Sequence, residues 1–235
     1  MVTLRIVLHD DLADLVGGRR DVVRRLPAPT SVKDAVEALD IPHVEIGQVA
    51  LDGRPATLTD RIHDGARIDV RSATPHDLAN ARFVCDQHLG KLARLLRFCG
   101  FDTVWDRSLC EAALALLAIR EGRVVLSRHR ALLQRKAITS GLLVRGDRAD
   151  DQLVEVLRRF RLAGRVAGPG RCTACNGELM ATAKADVPVP IPPRTAAWLD
   201  DYWICARCGK LFWEGTHVER LRRRVAAAAA RATAG

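Results

Sequence analysis

RFVCDQHLGKLARLLRFCGFDTVW, residues 82–105, places a strand pattern, a helix pattern and a second strand pattern directly after one another. The first residues form a short apolar run of the kind found in buried strands. Leucines recur at helical spacing through residues 89–96, and we expect Lys91, Arg94 and Arg97 to point outwards on the opposite side. Two apolar strands joined by a helix predict a parallel pair, because parallel strands need a crossover connection.

The same alternation continues to residue 162. Strand patterns at 123–127 and 142–146 alternate with helix patterns at 109–122, 131–141 and 150–162. This order predicts an α/β domain with a mainly parallel sheet over residues 80–165. In such sheets the chemistry lies beyond the carboxyl ends of the strands. The residues at those ends are Asp86, Asp106, 127–130 and 146–147.

Residues 1–74 show a different order, in which two strand patterns, one helix pattern and further strand patterns follow one another. Ser31 is the predicted N-cap of the helix, with Asp34 three residues later, and Pro42 stops it. The order resembles the ubiquitin-like β-grasp fold, in particular small sulfur-carrier-like domains. Such carriers end in Gly-Gly, whereas this chain continues as RSATPHDLANARF, residues 71–83. We therefore predict a structural or interaction module.

Four cysteines near the end of the chain form two C-x-x-C pairs, Cys172 with Cys175 and Cys205 with Cys208. Each pair lets two thiolates converge on one ion, and two pairs complete a tetrahedral site. The spacing predicts a zinc ribbon over residues 170–218, with zinc in a structural role because four thiolates leave no open position. Two redox pairs or a disulfide clip are the alternatives.

The remaining cysteines, Cys85, Cys99 and Cys110, lie in apolar segments and are predicted to be buried thiols. The Ala/Arg-rich tail, residues 219–235, receives no predicted role. Removal of zinc is expected to unfold the region after residue 170 and nothing else.

The zinc-ribbon region also holds most of the chain's aromatic residues, interspersed with cations. Aromatic rings mixed with cations suit base stacking and phosphate contact. A small zinc module equally needs aromatic rings for its own core, and we assign more than half of them to that role. The residues are Trp198, Tyr202, Trp203, Phe212 and Trp213, with Arg194, Arg207 and Lys210.

The net charge of +9 is unevenly distributed. Residues 1–77 carry 10 basic and 13 acidic side chains, residues 78–165 carry 17 and 9, and residues 166–235 carry 10 and 6. A basic middle and end suit a polyanionic partner such as nucleic acid, although an arginine-rich genome composition is the alternative explanation. The acidic front is predicted to dock on the basic middle.

The amino terminus, MVTLRIVLHDD, lacks the features of a leader peptide, and no apolar run is long enough for a membrane span. The expected location is the cytoplasm, without a membrane partner.

Four motifs taken together resemble the Mut-seven C-terminal ribonuclease family. They are DQHLGKLARLLR at 86–97, GFDT at 100–103, EGRVVLSRHRALL at 121–133 and CGKLFWEGTHVERL at 208–221. The resemblance extends over about residues 2–220. It implies an N-terminal ubiquitin-like domain, then a PIN-like α/β nuclease domain and then a zinc ribbon, which is the order of domains in that family. It also implies metal-dependent cleavage of RNA by acids at the strand ends.

Only part of the family's acidic cluster is present in this chain. Asp86 matches the first strand-end acid and Glu111 the acid before the following helix, whereas His129 replaces an aspartate. Ser108 and Cys110 stand where acids are expected, and Asp106 falls two places early. The resemblance thus implies two sets of residues: catalytic Asp86, Glu111, His129 and Asp106, and RNA-binding Lys91, Arg94, Arg128 and Arg130.

The implied function is a metal-dependent ribonuclease that acts on RNA phosphodiester bonds with magnesium or manganese. Fewer carboxylates favour one ion over two, because hard cations need oxygen ligands to offset their charge. A catalytically impaired RNA-binding or ribosome-associated protein that retains the nuclease fold is the alternative. An interaction protein that acts through its β-grasp domain is the third hypothesis. The expected partner is RNA, with tRNA, rRNA and the ribosome as candidates.

Overall fold

The computed structural model describes residues 1–234. Its strands are β1 (Val2–Leu8), β2 (Asp21–Leu26), β3 (Ile46–Leu51), β4 (Arg54–Ala56), β5 (Arg67–Ser72), β6 (Arg82–Cys85), β7 (Asp102–Val104), β8 (Val124–Ser127), β9 (Gly141–Leu143), β10 (Leu179–Ala183), β11 (Asp201–Cys205) and β12 (Leu211–Trp213). Its α-helices are α1 (Val32–Glu37), α2 (Gly90–Phe98), α3 (Glu111–Glu121), α4 (Arg130–Leu133), α5 (Ala149–Arg159), α6 (Pro193–Ala196) and α7 (Thr216–Thr233). The chain forms two compact units. The first comprises residues 1–74 and 110–143, and the second comprises 75–109 and the chain from residue 144 onwards.

Five strands of the first unit form one sheet in the order β2-β1-β5-β3-β4. β1 and β5 are parallel, and the other neighbours are antiparallel. In β1 every second residue, from Val2 to Leu8, is buried, so one face of the sheet forms the core. This topology confirms the predicted ubiquitin-like β-grasp fold.

Helix α1 begins where the sequence predicts. The Ser31 side chain accepts a hydrogen bond from the Asp34 backbone N–H, and the Asp34 carboxylate accepts one from the Ser31 backbone N–H. This reciprocal capping box satisfies two amide groups that otherwise lack partners at a helix start. Val32, Ala35 and Val36 then face the core of the unit.

The first unit also contains α3, β8, α4 and β9, with β8 and β9 parallel. The buried Glu45 carboxylate accepts a hydrogen bond from the Leu143 N–H at 2.7 Å, and His43 Nε2 lies 2.8 Å from the Ile138 carbonyl oxygen. A Cβ on Gly141 would lie 2.9 Å from a Leu133 methyl and 3.1 Å from the Val125 carbonyl oxygen, so a larger residue here would force its neighbours to shift. Residues 110–143 therefore pack with the front domain in one unit, and docking through opposite charge stays a prediction.

Helix α4 is a single turn, although the sequence predicts a helix over 131–141. Residues 134–137 are Gln, Arg, Lys and Ala, which offer no large apolar side chain to continue the buried face of Leu132 and Leu133. The chain instead turns so that Ile138 is buried and its carbonyl contacts His43.

In the second unit, β6 and β7 are parallel and α2 connects them. The predicted parallel arrangement of the central region is thus confirmed in both units. Leu92, Leu95 and Leu96 of α2 are buried, and Lys91 and Arg94 are exposed as predicted. The outward position predicted for Arg97 is wrong, because this side chain is only 3% exposed.

Helix α7 gives the tail a structural role that composition alone did not indicate. Val225, Ala228 and Ala232 are buried at helical spacing, and the helix packs on α5. Arg224 and Arg231 pair with Asp150 and Asp151 at 2.8 and 2.9 Å. Small side chains on this stripe allow the two helices to approach closely.

The zinc-ribbon strands form an antiparallel sheet in the order β10-β11-β12. Tyr202 and Ile204 of β11 are buried. No helix among residues 1–234 has the length and apolar character needed to cross a membrane.

Candidate active site and metal centre

The sulfur atoms of Cys172, Cys175, Cys205 and Cys208 lie within 4.8 Å of one another. Sulfur–sulfur distances of 3.7 Å (Cys172 to Cys208) and 3.4 Å (Cys175 to Cys205) approach the roughly 3.8 Å expected when four thiolates surround zinc at about 2.3 Å. The four predicted cysteine ligands therefore lie close enough together to bind one metal ion.

The backbone of the second C-x-x-C pair supports a thiolate. Burial raises the pKa of the Cys205 thiol, but the backbone N–H groups of Cys208 and Arg207 stabilise its anion and lower the pKa to about 7. The Arg207 N–H lies 3.4 Å from the Cys205 sulfur. Deprotonated sulfur is the form that binds metal.

A buried cation lies between the first C-x-x-C pair and β7. Arg97 donates hydrogen bonds to the carbonyl oxygens of Thr173 and Ala174, at 3.2 and 2.9 Å. It also donates to the carbonyl oxygens of Thr103 and Trp105, at 2.9 and 3.3 Å. Four carbonyls accept from four of the five guanidinium N–H groups, and thiolates at the neighbouring metal group would offset its charge.

Asn176 forms a second connection between the same segments. Its side-chain oxygen accepts from the Thr103 N–H at 2.9 Å, and its side-chain nitrogen donates to Asp102 at 2.7 Å. Its φ of 70° lies in the left-handed region, which asparagine tolerates. Sequence reasoning missed both connections. The available signals were an arginine within a leucine-rich helix and an asparagine directly after a C-x-x-C pair.

In the first unit, Glu111 and His129 are in direct contact. Glu111 begins α3, and His129 follows β8. His129 Nδ1 and Glu111 Oε1 form a hydrogen bond, and the His129 backbone N–H donates to the buried Ser127 hydroxyl at 2.8 Å. The His129 side chain is 57% exposed. When Nδ1 carries the proton, Nε2 has a free lone pair, and no hydrogen bond from the described part of the chain reaches it.

Arg135 also pairs with Glu111, with 3.3 Å between Nη2 and Oε2. Glu111 thus contacts both a histidine and an arginine, and its carboxylate is part of a small charged cluster. Arg128, between Ser127 and His129, is exposed.

Arg130, predicted to bind RNA, instead contacts the β-grasp part of its own unit. Its Nη1 donates to the Leu15 carbonyl at 3.0 Å and to the Asp40 carbonyl and carboxylate, both at 3.1 Å. Gln134 adds a 3.4 Å contact to the same carboxylate.

In the second unit, Asp86 and Asp106 follow two neighbouring parallel strands. Val84 pairs with Val104, so each aspartate lies two residues beyond a paired position, at the same edge. Asp86 is buried and accepts a hydrogen bond from the His88 N–H at 2.8 Å. The Ser108 hydroxyl and N–H donate to Asp106 and lower the pKa of its carboxyl group.

The other three cysteines differ in accessibility. Cys85 and Cys99 are buried as predicted, and burial raises the pKa of Cys99 to about 12. The prediction for Cys110 is wrong, because this residue is exposed directly before α3.

Residues 81–225 match the model of the Mut7-C RNAse domain. The chain belongs to the Mut7-C ribonuclease family. Residues 1–76 match the Mut7-C ubiquitin domain, in agreement with the β-grasp topology of that segment. The resemblance inferred from the four sequence motifs is thereby confirmed.

Solved structures are similar to part of this Mut7-C chain. A proposed molybdopterin converting factor, subunit 1, from Pyrococcus furiosus is 17% identical, covering 32% of this chain and 100% of its own, with a TM-score of 0.27. Small archaeal modifier protein 1 of Haloferax volcanii is 22% identical, covering 30% of this chain and 97% of its own, with a TM-score of 0.27. No curated protein matches the chain.

Proposed function

We propose that this Mut7-C protein is a ribonuclease that cleaves RNA phosphodiester bonds with the help of magnesium or manganese. The observation that carries the proposal is the contact between Glu111 and His129 in a chain of this family. A carboxylate that holds Nδ1 fixes the imidazole ring and leaves Nε2 for a proton or a ligand.

In this proposal His129 is the general acid or base, and Glu111 holds its tautomer. Asp86 and Asp106 are the proposed metal ligands, because carboxylate oxygens are the donors that magnesium and manganese prefer. When bound, the ion would neutralise charge on the phosphodiester. Exposed Lys91, Arg94 and Arg128 would contact phosphates, and the contacts of Arg130 favour a role in docking residues 110–143 to the β-grasp part.

Zinc in the four-cysteine group is also part of the proposal, with a structural role. A reducing compartment such as the cytoplasm suits such thiolates. Candidate substrates are tRNA, rRNA and ribosome-bound RNA.

A non-cleaving RNA-binding protein is the second candidate, and one observation favours it. Glu111 is engaged by both His129 and Arg135, so its charge is already compensated within the first unit. A compensated carboxylate attracts a divalent ion less strongly, so Glu111 adds little to a metal site that already has fewer carboxylates than the family pattern.

The test is cleavage of labelled single-stranded and structured RNA, with magnesium or manganese, by the full chain. Asp86→Asn and His129→Ala are each expected to lose roughly 100-fold or more of the rate. His217→Ala removes another exposed imidazole, on α7, and should cleave as the wild type does. Inert wild type together with an active His129→Asp variant would instead establish the RNA-binding candidate.

A further inference from the structure

The two faces of the zinc-ribbon sheet differ in their burial. Side chains alternate along each strand, so Tyr202 and Ile204 of β11 lie on one face and Trp203 on the other. The first two are buried, which makes theirs the core face. On the opposite face, Trp203 pairs across the strands with Ala181 of β10 and Phe212 of β12. We call this second face the ribbon outer face.

Residues around the two rings leave the ribbon outer face open to solvent. Ala181 and Ala183 of β10 and Lys210, all on this face, are exposed, and Trp203 and Phe212 are half-buried. Alanine is too small to cover the neighbouring indole. Tyr202 and Ile204 form the core on the other face, and the two outer rings keep part of their surface exposed to solvent.

A cation accompanies the rings. Lys210 lies two residues before Phe212 on the same face, with Nζ 5.8 Å from the centre of the ring. This is within the range of a cation–π contact, and it holds a positive charge at the edge of the aromatic surface. Asp201, which pairs with Ala183 at the other end of β11, is an acidic side chain on this face, while residues 166–235 as a whole carry more basic than acidic side chains, 10 against 6. An anionic partner with flat apolar groups fits this combination.

We infer that the ribbon outer face binds single-stranded RNA by stacking unpaired bases on Trp203 and Phe212, while Lys210 contacts a phosphate. Nucleic acid bases have flat π-faces, which stack on aromatic side chains regardless of sequence. In a duplex these faces are already stacked on neighbouring bases, so the surface selects unpaired segments. The choice of RNA rests on the proposed function, and the inference adds which form of RNA the protein holds and where.

The experiment measures binding of a fluorescein-labelled 12-nucleotide single-stranded RNA and of its blunt duplex to the full zinc-loaded chain, without added magnesium or manganese. Trp203→Leu and Phe212→Leu keep apolar bulk and remove the flat ring. Each should weaken single-strand binding by about tenfold. Trp203→Phe and Phe212→Tyr keep a ring and should bind nearly as the wild type does. Lys210→Ala should lower the slope of log affinity against log salt by about one.

Met180→Ala is the matched control, since Met180 is 52% exposed on β10 but alternates to the other face. Zinc content and circular dichroism establish that each variant is folded. Unchanged single-strand binding by folded Trp203→Leu and Phe212→Leu overturns the inference. Equal affinity of the wild type for duplex and single strand, or no measurable affinity for either, also overturns it.

The result is independent of cleavage. A wild type that binds single strands through both rings but never cuts RNA supports the ribbon outer face and contradicts the proposed ribonuclease. A wild type that cuts RNA, together with leucine variants that bind single strands normally, supports the proposed ribonuclease and contradicts RNA binding by the ribbon outer face.

Discussion

Arg97 shows how one side chain can join a metal centre to a strand. Its guanidinium contacts carbonyl groups of the first C-x-x-C pair and of β7, from a position that is almost fully buried. Groups that orient metal ligands from outside the coordination sphere commonly change metal affinity by 10- to 100-fold when replaced. We therefore expect Arg97 to help position the four cysteine ligands.

Replacement of Arg97 by methionine should lower zinc affinity by roughly 10- to 100-fold, because the carbonyls of Thr173 and Ala174 lose their donor. Competition with a colorimetric zinc chelator measures this. Arg94→Met, on the exposed side of the same helix, is the control and should keep wild-type affinity. Equal affinity of the two variants would show that Arg97 does not support the metal centre.

Among the helices, some features follow from local sequence patterns and others do not. The start of α1 was predictable, because a serine followed three residues later by an acid satisfies amide groups within one turn. The shortness of α4 and the packing of α7 were not, because both depend on partners far along the chain. Ile138 contacts His43, 95 residues away, and Arg224 pairs with Asp150, 74 residues away.

Ser31→Ala should destabilise the first unit by about 1 kcal/mol at neutral pH, since the helix loses its N-cap. Hydrogen bonds from Ser31 lower the pKa of Asp34, so the folded state favours the ionised carboxylate. This stabilisation is present above the ordinary pKa of an aspartate and is lost as the pH falls through the lowered value.

The difference in stability between wild type and Ser31→Ala should therefore shrink in acid. Denaturant unfolding between neutral pH and about pH 3 measures it. Thr59→Ala, outside the helix, provides the comparison. A difference that stays constant with pH would show that Asp34 does not take part in the cap.

At the scale of the whole molecule, the four-cysteine group is connected to structure well before residue 170. Arg97 and Asn176 join it to β7, and the backbone N–H of Arg171 donates to the Arg97 carbonyl at 3.0 Å. The expectation that zinc removal affects nothing before residue 170 conflicts with these bonds. Because chelation removes the metal–sulfur bonds that hold the two sulfurs in place, the first C-x-x-C pair should loosen and release its partners.

Chelation of zinc should thus increase hydrogen exchange at residues 97–105 as well as after residue 170. Amide exchange followed by mass spectrometry, with and without chelator, tests this. Buried β1 of the first unit serves as the internal reference and should keep its protection. Unaltered hydrogen exchange at residues 97–105 would show that the zinc module is independent of this segment.

The sequence by itself determined the order of the elements, the β-grasp and parallel α/β patterns, and the four metal-binding cysteines. Each of these depends on the period or spacing of neighbouring residues, which is a local property of the chain. The tertiary structure alone decided that Arg97 is buried, that Arg130 contacts Asp40 and that His129 meets Glu111. It also decided which aromatic rings of the ribbon face solvent. The reason is physical: a side chain's partners depend on contacts between distant segments, and an arginine or tryptophan has the same local pattern whether it faces water or a neighbouring strand.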